Sequence, residues 1–193
     1  KPGVYRAELS FGEQSNLVSL EVKSDPRLNV SQEGIDQQYA ASKQLEGYMA
    51  AAADAVKQLV TSQGILKDYQ KRIKQQDSTQ HKDLLKKCSE ASKEMTTLVA
   101  LFLGKEDKRQ GIVRNSESTV MTRISSARRY VASRPQGITS TEEILLKHAE
   151  NDTKDALAKV NVFYKETWED LQADIEAISL SSFKPIDYFE LKN

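Results

Sequence analysis

Helical chains keep most of their chemistry on histidine, cysteine and paired carboxylates, and here His81, His148 and Cys88 are the whole supply of the first two types. A di-iron bundle needs a glutamate three residues before a histidine on an inward face, with further carboxylates opposite. Ser78 stands three before His81, and Glu143 stands five before His148, so neither histidine has that partner. His148 with Asp152 is an ordinary (i, i+4) surface pair. A single cysteine excludes an internal disulfide and any multi-cysteine zinc site. No stretch matches a glycine-rich phosphate loop, a nucleophile elbow or the paired carboxylates of a glycosidase. The acids have lysines nearby and read as solvated faces. The residue types thus give no catalytic, no cofactor-binding and no metal-binding set.

Three features remain to be weighed. Cys88 falls on the apolar stripe of a helix, where a free cysteine is a small buried hydrophobe far more often than a reactive thiol. Arg123, Arg128, Arg129 and Arg134 form the best local basic patch, but only Tyr130 accompanies them, and nucleic acid recognition asks for interleaved aromatics on a basic domain. Tyr164 and Trp168 could anchor a partner, yet their helical spacing with Leu171 suits a core.

The elements that would position these residues are mostly helices. From Ser31 to about Gln76 the chain lacks proline and is rich in Ala, Lys, Gln and Leu. Apolar residues recur three and four apart through Leu45, Met49, Ala52, Val56, Leu59, Leu66 and Ile73, the seam of a long helix. Ser31 is placed to cap it, and Glu33 and Asp36 face the positive end of its dipole. Gly64 is a weak point that softens the helix without breaking it. A second helix is expected over 79–103 with the stripe Leu84, Cys88, Ala91, Met95, Leu98 and Phe102. Gly104 to Gly111 reads as a charged loop. A third helix, starting between 112 and 117 and ending before Arg134-Pro135, carries Val113, Val120, Ile124, Ala127 and Val131. Ser140 with Glu143 reads as a capping box opening a fourth helix to Ile178, striped by Leu145, Ala149, Ala156, Val160, Tyr164, Trp168, Leu171, Ile175 and Ile178.

Ahead of the helices, residues 4–11 and 16–23 alternate apolar and polar about a turn at Gly12-Glu13-Gln14, which predicts a half-buried β-hairpin. Asp25-Pro26-Arg27 ends it. The fold class is therefore mainly α, an antiparallel up-down four-helix bundle with long first and fourth helices plus the hairpin. The expected domains are residues 1–27, the hairpin, either packed on the helices or belonging to a β-sandwich, and residues 28–193, the bundle. Up-down connection would leave four helices at one end and two at the other, with the hairpin and the apolar tail from Ser179 covering the two-helix end.

Charge sets outer limits on partners. Lys+Arg and Asp+Glu both number 28, so no global field draws in nucleic acid or an anionic membrane. Between 104 and 134, eight basic residues oppose three acidic ones, whereas 140–178 holds ten acids and four lysines, which favours pairing of the third and fourth helices. No run approaches the roughly 18 apolar residues of a membrane span. The start at Lys1-Pro2-Gly3 carries neither a signal peptide nor a start methionine, and the chain is expected to begin inside a larger protein.

Pro2-Gly3-Val4-Tyr5-Arg6-Ala7-Glu8-Leu9, then Gly12, then Leu20-Glu21-Val22-Lys23-Ser24-Asp25-Pro26-Arg27, resembles the C-terminal part of bacterial exported proteins with BNR-type, sortilin-like β-propeller repeats, often labelled glycosyl hydrolases. In that family such a hairpin closes a small β-sandwich and leads into helices. The long alanine-rich helix and the Arg134-Pro135 stop follow the same outline, while the turn lacks the family's common Asp-Gly pair. The resemblance implies an extracytoplasmic setting and upstream propeller and sandwich domains as partners, with any glycosidase activity on the propeller. The chain itself is then expected to be a non-catalytic spacer, docking or self-association module. The alternatives are an accessory domain that completes the propeller's active site for hydrolysis of a carbohydrate or peptide, or an intracellular helical adaptor.

Overall fold

A computed structural model describes residues 1–77, 80–105 and 118–178. The fold is mainly α with an N-terminal antiparallel hairpin, in the order β1 (Gly3–Phe11), β2 (Gln14–Val22), α1 (Gln32–Asp77), α2 (Lys82–Leu103), α3 (Val120–Ala132), α4 (Ser140–Phe163), a π-helical turn (Tyr164–Trp168) and α5 (Glu169–Glu176). The second helix begins three residues later than its pattern suggests. Ser118 and Thr119 precede α3 without helix, and the earlier start with Val113, the end of the charged loop and the apolar tail from Ser179 all lie outside the described residues.

The hairpin has the expected alternation but not the expected burial. Its register sets Tyr5 beside Leu20, Ala7 beside Val18 and Leu9 beside Asn16 on one face, and Arg6 beside Ser19 and Glu8 beside Leu17 on the other. Gly12 has a φ of 60° and Glu13 does not enter the positive region, a two-residue turn of the II′ kind that matches the strand twist. Every residue of both strands is exposed, Leu9 at 77% and Phe11 at 86%. The reading of a half-buried strand covering the helices is corrected here, because no helix or third strand among the described residues lies on the apolar face. Beyond β2, the Arg27 backbone amide, Nε and Nη2 all donate to the Asp25 carboxylate, closing the turn at Pro26.

The helices divide into two compact units, Lys1–Met49 with Arg123–Glu150, and Ala50–Thr122 with Asn151–Asn193. The first takes the beginning of α1, most of α3 and the beginning of α4. The second takes the rest of α1, α2, the end of α4, the π turn and α5. Among the described residues each unit thus has three helical rods, where the length argument put four helices at one end and two at the other.

In the first unit, Ala41, Leu45, Ile124, Ala127, Val131, Leu146 and Ala149 form the core. Leu146 is buried where the stripe suggests Leu145. Ser31 accepts the Gly34 amide as the cap of α1, and Gln38 donates to the carbonyl of Val131. The tightest approach is backbone on backbone. A Cβ on Gly34 would lie 2.2 Å from the Gln136 carbonyl oxygen, and Gly137, at φ 112°, faces the Gly34 Cα. α4 opens on Thr139 and Glu142, one residue earlier than the Ser140–Glu143 box. The Thr139 amide and hydroxyl both donate to Glu142.

In the second unit, Leu59, Leu66, Ile73, Cys88, Met95, Phe102, Phe163, Leu171 and Ile175 are buried. Gln63 on α1 meets Ser92 and Thr96 on α2, so these helices, joined at the far end of α1, run antiparallel. Ser62 meets Tyr164, and Lys87 meets Asp174 at 2.6 Å. Lys87 lies nearer the start of α2 than Ser92 does, and Asp174 lies nearer the end of α5 than Tyr164 does. The stretch from Tyr164 to Glu176 therefore runs in the same sense as α1, a departure from all-antiparallel neighbours. Gly64 is exposed within an unbroken helix.

Gly34→Ala is expected to destabilise the chain by about 1–3 kcal/mol, because backbone must move to admit the methyl group. Gly47→Ala, where nothing lies within 4 Å of the added carbon, is expected to stabilise it by about 0.5–1 kcal/mol through helix propensity. Thermal unfolding of the two variants checks the difference in sign.

Candidate functional site

The feature with most chemical content starts from a sequence that is poor at making helix. Val160, Val162, Phe163, Tyr164, Thr167 and Trp168 are β-branched or aromatic, types that lose rotamer freedom against the preceding turn. Here the α-helix widens into a π turn, a form found mostly as single turns and frequently at functional sites. One inserted residue shifts the phase of the buried stripe. Thr153, Ala156, Val160 and Phe163 are buried before it, and Leu171 and Ile175 after it. A regular continuation from Phe163 would bury Ala173 or Asp174 where Ile175 is buried instead. Tyr164 and Trp168, read from the sequence as core, are moved to its edge and are half-buried.

The displaced rings line a groove of about 540 Å³ with Ile65, Leu66 and Tyr69 of α1 and Glu169 and Glu176 of α5. The Tyr164 and Trp168 rings stand edge to face, centroids 6.0 Å apart and planes at 69°, and Phe163 packs edge-on to Tyr164 at 5.3 Å. The Tyr164 hydroxyl is fixed by the buried Ser62 hydroxyl at 2.9 Å. Ser62 has a phenol and not an imidazole or carboxylate beside it, so the pair has no base to activate a nucleophile. Gln172 donates to Glu176 at 2.7 Å. The arrangement can bind through ring faces, apolar surface and two carboxylates. The sequence reading weighed Tyr164 and Trp168 but missed Ser62, a polar residue at stripe spacing between Leu59 and Leu66.

The remaining candidates are dispersed. Cys88 is fully buried, and burial raises its thiol pKa, which fits an inert core residue. Arg134, in the turn after α3, reaches Glu142 in the first turn of α4 at 3.4 Å, and Arg128 and Arg129 are exposed. No group of three or more His, Cys, Asp or Glu suited to a metal occurs among the described residues. Nor is any described helix long and apolar enough to cross a membrane. Comparison with protein-family models, with curated proteins and with solved structures gives no match.

The buried carboxylate of Glu142 sits at the positive end of α4. Its pKa is lowered, first by the Thr139 hydroxyl, then by the Thr139 amide, with Arg134 adding to the effect. Asp36 beside Lys1 and Asp25 beside Arg27 are lowered as well, chiefly by those side-chain hydrogen bonds. A carboxylate whose pKa is lower in the folded state stabilises it above the unfolded value and loses that effect as pH falls through the folded value. Stability is therefore expected to hold from neutral pH down to about 5 and to fall below about pH 4. Glu142→Gln should flatten that acid limb in denaturant titrations, and an unchanged slope would contradict the assignment.

Proposed function

We propose that this chain is a non-catalytic helical module of a larger exported protein, serving as a spacer, docking or self-association element. The hairpin carries this reading. Its apolar face, with Tyr5, Leu20, Val18, Leu9 and Phe11, is bare, and an isolated two-stranded sheet is at best marginal in water. A hairpin of that kind is suited to complete a sheet or sandwich contributed by another domain. This agrees with the resemblance to BNR-type propeller proteins, in which the corresponding hairpin closes a sandwich. The extracytoplasmic setting belongs to the same reading.

The groove at the π turn favours a second reading, in which the module contributes Glu169 and Glu176 to an active site completed by the propeller. Removing residues 28–193 from the intact protein separates the two. Under the first reading, hydrolysis of carbohydrate or peptide substrates by the remainder persists while sedimentation shows loss of assembly. Loss of turnover in a remainder that stays folded would favour the second.

A further inference from the structure

The groove at the π turn is lined by rings, apolar side chains, the neutral polar groups of Gln58, Ser62 and Gln172, and two carboxylates. Two aromatic planes at 69° make adjoining walls, Tyr69 supplies a third ring that already carries the Arg72 guanidinium 6.0 Å from its centroid, and Ile65 and Leu66 supply apolar surface. Glu169 and Glu176 are its charged members, and no lysine, arginine or histidine among the described residues lines it. A packing defect between helices would show aliphatic walls and no preference of sign. Aromatic faces carry negative potential, and ring faces beside carboxylates are the recurring recognition device for ammonium groups.

We infer that this groove binds an organic cation, a substituted ammonium group bearing an apolar substituent. The ammonium lies against the faces of Trp168 and Tyr164, where Glu169 and Glu176 compensate its charge, and the substituent lies along Ile65 and Leu66. A cavity of about 540 Å³ falls within the range of small-molecule sites, about 300–1,000 Å³. The bond between Ser62 and Tyr164 holds one wall in place before ligand arrives, which reduces the ordering cost of binding. An anion would meet two carboxylates, and a neutral apolar molecule would gain nothing from them. The inference goes beyond the module reading and does not depend on it.

Trp168 is the only tryptophan of the chain, so its fluorescence reports on this groove alone. The chain is titrated with benzyltrimethylammonium and, separately, with benzenesulfonate, a similar ring bearing the opposite charge. A saturable change with the ammonium and none with the sulfonate is expected, weakening as salt is raised. Glu169→Gln with Glu176→Gln should weaken the ammonium at least about tenfold, with circular dichroism and thermal unfolding unchanged. Tyr69→Leu, which keeps apolar bulk and removes a ring, should weaken it as well. A response to the ammonium that does not saturate, an equal response to the sulfonate, or undiminished binding by the glutamine variant would overturn the proposal.

Discussion

Burial of one strip of α1 is the constraint on which the structure depends. A helix of 46 residues is about 69 Å long, and its stability in water comes mainly from packing an apolar face. Leu45, Ala52, Leu59, Leu66 and Ile73 are each at most 1% exposed. Fully burying one such leucine or isoleucine contributes about 1.5–3 kcal/mol. The strip has different companions along its length. Ile124, Ala127, Val131 and Leu146 share the core of the first unit, and Met95, Phe102, Phe163 and Leu171 share that of the second. Small residues set the approach distances, most of all Gly34, where a helix touches backbone directly.

The same demand for burial accounts for the π turn. After Phe163 the fourth helical run reaches Leu171 and Ile175, whose positions fit the stripe only if one residue is inserted. A wide turn absorbs that residue, and the rings that would have filled the core stand at its border. The hairpin shows the opposite situation, an apolar face with no core of its own. The described residues therefore present two apolar surfaces of different chemistry, one uncharged in the first unit, the other grooved and acidic in the second.

Much of this was legible in the residues. The spacing of Leu45 to Ile73 and of Cys88 to Phe102 identified both stripes, and Ser31 was identified as a cap. These signals are local and recur every turn, so they survive without knowledge of neighbours. The Thr139–Glu142 cap was displaced by one residue because Ser140–Glu143 satisfies the same spacing rule, and only burial of Glu142 distinguishes them. The hairpin's alternation was plain, but alternation says which face is apolar and not what covers it. The sense of the last helical run relative to α1 was hidden because it depends on contacts such as Lys87 with Asp174, far apart in sequence. Of the candidate site, Tyr164 and Trp168 were visible as residues, while their place at a groove edge required the phase shift.

Native-state amide hydrogen exchange along α1 tests the central claim most directly. Amides from Ala41 to Ile73 should be among the slowest in the chain, exchanging only through opening of the units that bury this strip, while the outer-edge amides of the exposed hairpin exchange faster by orders of magnitude. Exchange along α1 as fast as in the hairpin would mean that the strip is not packed, and the account would fail.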